Sequence, residues 1–152
     1  MPKQLRTQID IDATPERVWQ VLTDFDAYSQ WNPFMTRASG TPVRGERLTI
    51  HMQPEGGRAV TFRPTVREAV PQRRLRWLGH LLVPGIFDGE HSFTIEPLDG
   101  GGVRLVQQED YRGALVPLLA KSLDRRTLPA FERMNRALKQ RAEQAHDTAQ
   151  RG

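Results

Sequence analysis

The sequence has no cysteine, only three lysines and no long apolar run. The absence of cysteine excludes disulfide bonds, thiolate catalysis and cysteine-ligated metals. No apolar stretch approaches the ~20 residues that a bilayer-spanning helix requires, and the first residues lack the apolar region of a secretory signal. We therefore predict a cytoplasmic protein with no integral membrane association.

The composition is that of a folded domain. Hydrophobic residues make up 38% of the chain and charged residues 26%, which is typical of a soluble globular protein and not of a disordered one. The length of 152 residues suits one domain with one sizeable core. We therefore predict a single domain over residues 1–152, with a frayed tail after about residue 144.

The net charge of +4 comes mainly from 19 arginines, which are scattered along the chain. A nucleic-acid-binding protein would cluster them on one face together with aromatic residues. The nearest approach to a patch is Arg73, Arg74 and Arg76, which precede or lie on a predicted strand. This pattern is typical of a solvated sheet face, and we expect no nucleic-acid binding.

The first part of the chain predicts a strand followed by two short helices. Residues 3–12 alternate between apolar and polar, which indicates a half-buried strand. Thr14 is a good N-cap and Pro15 fits the first helical position, so a helix begins here. A second short helix over residues 25–30 should end before Pro33, since the residue before proline resists helix.

A run of strands and one long helix follow. The connections between the predicted strands contain glycine or proline and are short, so the strands should form an antiparallel meander. The strands are predicted over residues 34–38, 47–53, 59–70 and 73–82, with two more in residues 85–113. From Leu123 an apolar stripe at three- and four-residue steps predicts a long helix, which Pro129 kinks or restarts.

The stretch GIFDGEHSFTIEPLDGGGVRLVQQEDYRG predicts a hairpin with a polar pair on its buried face. If the turn centres on Gly100, Gln107 faces Phe93 and Glu109 faces His91. Both pairs lie on the face that the apolar residues of the hairpin define, and a one-residue slip would mix the faces. The sequence therefore predicts that His91 and Glu109 are cross-strand neighbours.

Two interpretations of this pair stay open. It can be a buried polar pair whose members satisfy each other's hydrogen bonds. It can also be a polar anchor for a ligand, or a general acid and base. Ser92 points to the opposite face and forms no dyad with His91. No two histidines have metal-ligand spacing, and the glycines at 100–102 form a hairpin turn, so we expect neither a metal nor a cofactor.

The element order and three stretches resemble the START-like (SRPBCC) superfamily, in particular its polyketide cyclase/dehydrase and lipid-transport-like group. The stretches are IDIDATPERVWQVLTDFDAYSQWNPF, GEHSFTIEPLDGGGVRLVQQEDYRG and FERMNRALKQRAE. The resemblance extends from about Leu5 to Glu143. It implies an α+β helix-grip fold, in which a curved antiparallel sheet of six or seven strands wraps around a long C-terminal helix. It brings no catalytic residue to this chain.

The resemblance also implies a cavity between sheet and terminal helix that takes a hydrophobic or aromatic small molecule, such as a lipid or a polyketide-like compound. A carrier is one interpretation, a cyclase or dehydratase that uses His91 and Glu109 is a second, and a protein-interaction module is a third. The candidate cavity residues are Trp31, Phe34, Ile50, Met52, Phe62, Trp77, His91, Phe93, Gln107, Glu109, Phe131 and Met134.

Overall fold

The fold comprises eight strands and four α-helices over residues 2–81 and 83–151, the part of the chain that this computed structural model describes; side chains are described through Gln144. In chain order the elements are β1 (Lys3–Ile11), α1 (Pro15–Thr23), α2 (Tyr28–Trp31), β2 (Met35–Ser39), β3 (Thr49–Met52), β4 (Val60–Phe62), β5 (Thr65–Val70), β6 (Arg74–Leu81), β7 (Phe87–Pro97), β8 (Val103–Arg112), α3 (Val116–Ser122) and α4 (Leu128–Arg151). A 3-10 turn over Phe25–Ala27 precedes α2, and a π-helical turn over Leu123–Thr127 joins α3 to α4.

The first of the two short helices begins where the sequence predicts, whereas the second region, predicted over residues 25–30, is a 3-10 turn over Phe25–Ala27 followed by α2. The Thr14 Oγ1 atom accepts a hydrogen bond from the Arg17 backbone N–H at 3.1 Å, and Pro15 occupies the first helical position of α1. Helix α2 ends at Trp31, because Asn32 before Pro33 is extended. The apolar side of α1 is buried and so fixes the helix on the core.

The strands form two antiparallel sheets. The larger has the order β1-β8-β7-β6-β5, and the smaller has the order β2-β3-β4. The predicted α+β helix-grip class is confirmed. The predicted meander holds within β2–β4 and within β5–β8, but β1 pairs with β8. Helices α1 and α2 carry the chain away from β1, which leaves its edge free for the last strand.

Pro64 accounts for the eighth strand. The single strand predicted over residues 59–70 is two strands in different sheets, β4 and β5. Proline has no N–H for a sheet ladder, so Pro64 ends the pairing of β4 with β3. Its carbonyl group still accepts a hydrogen bond from the Leu48 backbone N–H at 2.8 Å. The count is therefore eight and not the predicted six or seven.

The long C-terminal helix carries the predicted apolar stripe. Its fully buried residues are Ala130, Phe131, Met134, Leu138 and Ala142. They pack against β1, α1 and β8. The helical region begins earlier than predicted, at Val116, and the interruption before Pro129 is the π-helical turn, where the Leu128 N–H donates to the Leu123 carbonyl group.

The end of α4 extends beyond the described side chains. The predicted frayed tail after about residue 144, and Ala145 of the predicted stripe, lie outside the described residues in this respect, so both stay predictions. Within the described part of the chain, we find no helix with the length and apolar character needed to span a membrane.

Candidate functional site

The hairpin of β7 and β8 has the predicted register. His91 pairs with Glu109 and Phe93 pairs with Gln107, and the ladder runs without a bulge. His91 is 1% exposed and Glu109 is 8% exposed. Two polar side chains are thus held side by side on the buried face of the larger sheet.

His91 and Glu109 belong to a chain of hydrogen bonds that crosses the core, here called the polar chain. The His91 Nδ1 atom lies 3.0 Å from Glu109 Oε2, and its Nε2 atom lies 2.9 Å from Gln107 Oε1. Gln107 Nε2 donates to Asn135 Oδ1 at 2.7 Å, and Asn135 Nδ2 donates to Thr7 Oγ1 at 2.8 Å. The polar chain therefore joins β7, β8, α4 and β1.

An apolar cavity of about 170 Å³ begins at the Glu109 end of the polar chain. It lies between the facing sides of β3, β4 and β6–β8 and the segment from α3 to the π-helical turn. Its lining residues are Phe34, Met52, Pro54, Val60, Phe62, Pro64, Trp77, Gly79, Leu81, Phe87, Gly89, Glu109, Tyr111, Leu119, Leu123 and Thr127. Among the described residues, no lysine or arginine lines this cavity.

Two glycines provide part of the space. Gly79 of β6 and Gly89 of β7 pair with each other across the sheet, and both face the cavity. A Cβ atom on Gly89 would lie 2.8 Å from Glu109 Oε1, so the carboxyl group occupies the position of the absent side chain. A Cβ atom on Gly79 would lie 3.6 Å from the Pro64 Cβ atom, which is ordinary contact distance.

Tyr111 stands next to Glu109 on the same face of β8. Burial raises the pKa of the Tyr111 phenol well above its ordinary value, and the negative charge of Glu109 and a hydrogen bond with Glu109 act in the same direction. The phenol therefore keeps its proton and can donate it to a hydrogen bond. The polar end of the cavity consists of this hydroxyl group and the Glu109 carboxyl group.

The rim of the cavity is held by contacts between the β3–β4 loop and the π-helical turn. The Glu55 backbone N–H donates to the Arg126 carbonyl group at 2.9 Å. The Arg126 side chain donates from Nη1 to the Gly56 carbonyl group at 3.2 Å. Pro54 of this loop, and Leu123 and Thr127 of the turn, line the cavity. These two hydrogen bonds thus close one side of it.

The structure brings some of the candidate cavity residues to the cavity and not others. Five of the twelve line it: Phe34, Met52, Phe62, Trp77 and Glu109. His91 and Gln107 lie behind Glu109 in the polar chain, and the Trp77 ring stacks on the His91 ring with centroids 5.5 Å apart. The remaining five are Trp31, Ile50, Phe93, Phe131 and Met134, and none of them lines it.

The cavity lies beside the start of the helical region, because core side chains fill the space beside Phe131 and Met134 where the sequence predicted it. The Phe131 ring packs against Phe34 and His91, with centroids 5.4 and 5.0 Å apart. Phe131, Met134, Ile50 and Phe93 are fully buried core residues. These side chains fill the space beside the first turns of α4, and the cavity described above lies beside residues 116–127; a ligand role for these core residues stays a prediction.

Trp31 belongs to a different part of the molecule. Its ring packs edge-on against the buried Tyr28 ring, 5.2 Å away, and it borders a small surface groove beside Arg17 and Arg141. The end of α2 points it away from the cavity. Its predicted role in ligand binding therefore has no support from its position.

The sequence-based prediction omitted three lining residues that the alternation of side chains along the hairpin strands could have identified. On β7, Gly89 and Phe87 are the next alternate residues after Phe93 and His91. On β8, Tyr111 is the next alternate residue after Gln107 and Glu109. All three line the cavity. Leu119 carried no comparable signal, because the helix was predicted to begin only at Leu123.

Among the described side chains, His51 and His80 lie apart from the cavity. His51 Nδ1 contacts Thr61 Oγ1 at 2.9 Å, and His80 Nδ1 contacts Asp88 Oδ1 at 2.7 Å; both contacts are at the surface. Across the described residues, no group of three or more His, Asp and Glu side chains is placed to hold a metal ion.

The arginines on β6 are paired with acids. Arg74 Nε lies 3.0 Å from Glu68 Oε1, and Arg76 Nη1 lies 2.8 Å from Glu90 Oε1. These ion pairs lie on the outer face of the larger sheet. The acidic partners offset the positive charge that would attract a nucleic-acid backbone to this face.

An antiparallel sheet that grips a C-terminal helix, with an apolar cavity beside the start of the helical region, defines a helix-grip protein of the START-like superfamily. Residues 2–143 match the family described as polyketide cyclase / dehydrase and lipid transport, and the chain belongs to that family. The comparison with curated proteins gave no match.

Solved structures share the fold at low sequence identity. The Zhui aromatase/cyclase from Streptomyces sp. R1128 has a TM-score of 0.73 and 17% identity, with 94% of each chain covered. A START superfamily protein from Mycobacterium smegmatis has a TM-score of 0.72 and 21% identity, with 93% of this chain and 98% of that chain covered.

In a third solved structure, this chain matches about half of a longer protein. The di-domain ARO/CYC StfQ from the steffimycin biosynthetic pathway has a TM-score of 0.78 and 14% identity. The match covers 97% of this chain and 53% of that chain. At these identities the likeness shows a common fold, and the chemistry must be argued from the residues of this chain.

Proposed function

We propose that this protein binds a hydrophobic or aromatic small molecule, lipid-like or polyketide-like, in the cavity between the sheet and the helical segment 116–127. The observation that carries the proposal is the cavity lining, which is mostly apolar, with Glu109 and Tyr111 at one end and Thr127 at the π-helical turn. Apolar pockets with a few convergent polar groups are the usual form of small-molecule sites. The polar end would orient the ligand, and the apolar walls would supply most of the affinity.

The size of the cavity suits a ligand portion of about one ring. An apolar cavity of ~150 Å³ in another protein accepts benzene, and the present cavity is about 170 Å³. The similarity to an aromatase/cyclase supports an aromatic portion, although it concerns the fold. A longer ligand would need the rim formed by the β3–β4 loop and the π-helical turn to move.

Trp77 provides the test, because it lines the cavity and is 2% exposed. Titration with toluene should change the tryptophan emission saturably. Trp77→Phe should abolish this change, whereas the matched Trp31→Phe variant should keep it, since Trp31 borders a different groove. Absence of saturable binding of toluene, measured also by calorimetry, would refute the proposal.

A cyclase- or dehydratase-type enzyme is the second candidate, and one observation favours it. The Glu109 carboxyl group reaches the cavity while its other oxygen contacts His91 at 3.0 Å. A carboxylate held in this way can take a proton from a carbon next to a carbonyl group, and the resulting acid can return the proton to carbon or oxygen.

The enzyme interpretation predicts proton exchange at carbon. Cyclohexanone in deuterium oxide should exchange its α-protons in the presence of the protein, and NMR would follow the loss of their signal. Glu109→Gln should slow this exchange by about 100-fold or more, whereas Glu90→Gln on the outer face should not change it. Equal rates for all three proteins would exclude this function for the pair.

Two further predictions from the sequence belong to this proposal, and the interaction module remains the third interpretation. The protein would act in the cytoplasm and would bind no nucleic acid. An interaction module would need a large exposed apolar patch. The exposed large apolar residues of the described chain are Val43, Val70, Val83 and Leu118, which lie on separate elements or loops.

A further inference from the structure

The orientation of the Gln107 side-chain amide is fixed by its neighbours. One end of the amide lies 3.3 Å from the Phe131 carbonyl oxygen and 2.7 Å from Asn135 Oδ1. A backbone carbonyl oxygen accepts hydrogen bonds and cannot donate them, so this end of Gln107 must be the NH₂ group. The Asn135 amide is oriented in turn, because its Nδ2 atom donates to Thr7 Oγ1 at 2.8 Å.

The oxygen end of Gln107 therefore faces His91, and this determines where His91 carries a proton. The Nε2 atom of His91 lies 2.9 Å from Gln107 Oε1, so it must be protonated to make the hydrogen bond. The Nδ1 atom lies 3.0 Å from Glu109 Oε2, and these two atoms then share one proton. Removal of that proton would place two lone pairs against each other.

The pair has zero net charge wherever the shared proton resides. With the proton on Nδ1 the pair is an imidazolium and a carboxylate, and with the proton on Oε2 it is a neutral imidazole and a carboxylic acid. The rings of Trp77, Phe93 and Phe131 surround His91, with their centroids 4.8 to 5.5 Å from that of His91. In such surroundings a net charge is costly, so the neutral pair is the stable one.

We propose that Gln107, oriented by Asn135, is a positioning residue that keeps the His91–Glu109 pair at zero net charge, so that the cavity selects uncharged ring-sized ligands over carboxylates and amines. A carboxylate ligand would meet no lysine or arginine among the described lining residues. An ammonium ligand would meet a carboxylate whose charge His91 already compensates. This inference rests on the proposed function and adds the chemical class of the ligand.

The test uses three ligands of one shape: benzyl alcohol, benzoate and benzylammonium. Calorimetry at neutral pH should show benzyl alcohol binding more than about tenfold more tightly than either ion, because each ion loses its hydration without a partner. Toluene is measured in parallel. Binding of toluene and benzyl alcohol without this preference would overturn the inference and leave the proposed function intact, whereas no binding of toluene or benzyl alcohol would refute the proposed function.

A substitution at Gln107 separates positioning from packing. Gln107→Leu removes the acceptor that holds the proton on Nε2, so the pair can lose a proton and become an anion. The ratio of benzylammonium to benzyl alcohol affinity should then rise by about tenfold or more, a change that loss of packing alone would not produce. Gln108→Leu, on the opposite face of β8, is the matched control and should keep the original ratio. An unchanged ratio in Gln107→Leu would overturn the inference.

A measurement on the unmodified protein keeps the test decisive if Gln107→Leu does not fold. Nitrogen NMR of the histidine rings distinguishes protonated from unprotonated nitrogen atoms. The Nε2 atom of His91 should carry a proton at neutral pH, since the hydrogen bond to Gln107 Oε1 requires it. An unprotonated Nε2 atom at neutral pH would overturn the inference independently of any ligand.

Discussion

Gly79 shows how a single residue controls the cavity. Gly79→Val would place its Cβ atom at ordinary contact distance from Pro64 and direct two methyl groups toward the cavity. Valine also favours strands, so the fold should tolerate it. We expect toluene affinity to fall by about tenfold or more, with a Tm equal to or above that of the parent, in calorimetric and thermal measurements.

The control for this substitution lies at the hairpin turn. A Cβ atom on Gly100 would have no heavy atom within 4 Å, so Gly100→Val adds the same groups in open space. It should leave toluene affinity unchanged. Equal affinities for the parent and the Gly79→Val variant would place the ligand outside this cavity.

At the scale of residues, the sequence predicted pairs within a strand hairpin but not contacts across layers. The pairing of His91 with Glu109 followed from alternation and one turn, and it is confirmed. Asn135 completes the polar chain, yet no periodic signal distinguishes it from other polar residues of α4. Its role depends on how the helix docks on the sheet, which local sequence does not encode.

The β3–β4 loop and the π-helical turn together form an element whose motion should control ligand exchange. Arg126→Ala removes the side-chain hydrogen bond to the Gly56 carbonyl group, while the backbone bond from Glu55 can remain. We expect ligand dissociation to become faster in stopped-flow measurements. The free energy of unfolding should change by less than about 1 kcal/mol, because the bond is exposed.

Arg125→Ala serves as the comparison for Arg126→Ala. Arg125 is an exposed neighbour on the same turn, and its substitution changes the charge equally. Its dissociation rate should match that of the parent. If both variants release ligand at the same rate, the rim contacts do not limit exchange.

The loop between β6 and β7 depends on Asp88. Its carboxyl group contacts His80 Nδ1 at 2.7 Å and accepts a hydrogen bond from the Gly85 N–H at 3.0 Å. The hydrogen bond with His80, and then that from Gly85, lower the pKa of Asp88 below its ordinary value. A carboxyl group whose pKa is lowered by folding stabilises the protein at pH values above its ordinary pKa. That stability is lost as the pH falls through the folded-state pKa.

Asp88→Asn tests this contribution through its pH dependence. The variant should have a lower Tm than the parent at about pH 6, and the difference should shrink as the pH is lowered toward about 2.5, because protonation of the parent carboxyl group removes its charge. Asp99→Asn, in the exposed turn between β7 and β8, provides a comparison without these partners. A Tm difference that is equal at both pH values would show that Asp88 acts through packing and not through its charge.

At the scale of elements, the order of strands and helices was predictable and their pairing was less so. Alternation and capping residues placed β1, α1 and the last hairpin. Residues 59–70 were predicted as one strand, because proline forbids a ladder bond without specifying which sheet follows. Pairing of β1 with β8 joins the first strand to the last, and such contacts between distant segments leave no trace in local periodicity.

For the whole molecule, the small cavity predicts a size-dependent response to ligand. Toluene fits the space of about 170 Å³, whereas anthracene exceeds it and must displace the helical segment 116–127. Hydrogen exchange should slow or stay constant in this segment with toluene and accelerate there with anthracene. Uniform protection by both ligands would indicate that the cavity enlarges by another route.

The fold class was predictable at this scale, but the position of the cavity was not. The element order and the quoted stretches resemble the START-like superfamily, and this resemblance implied a sheet that grips a helix. The cavity depends on whether Phe131 and Met134 fill the space beside the sheet, and both are fully buried. Packing density between two layers is set by many side chains at once, so no single pattern reveals a void.

The polar chain also affects which register the neighbouring strands adopt when the protein folds. A slip of two residues between β1, β8 and β7 would preserve the alternation of apolar and polar faces, so hydrophobic burial alone discriminates weakly against it. Such a slip would separate Gln107 from His91 and the half-buried Thr7 from the buried Asn135, and each would be left without its partner. Because an unpaired buried polar group costs about 1–3 kcal/mol, the misaligned states carry a cumulative penalty. The residues of the polar chain, which support the cavity at Glu109, therefore also favour a single register of the strands.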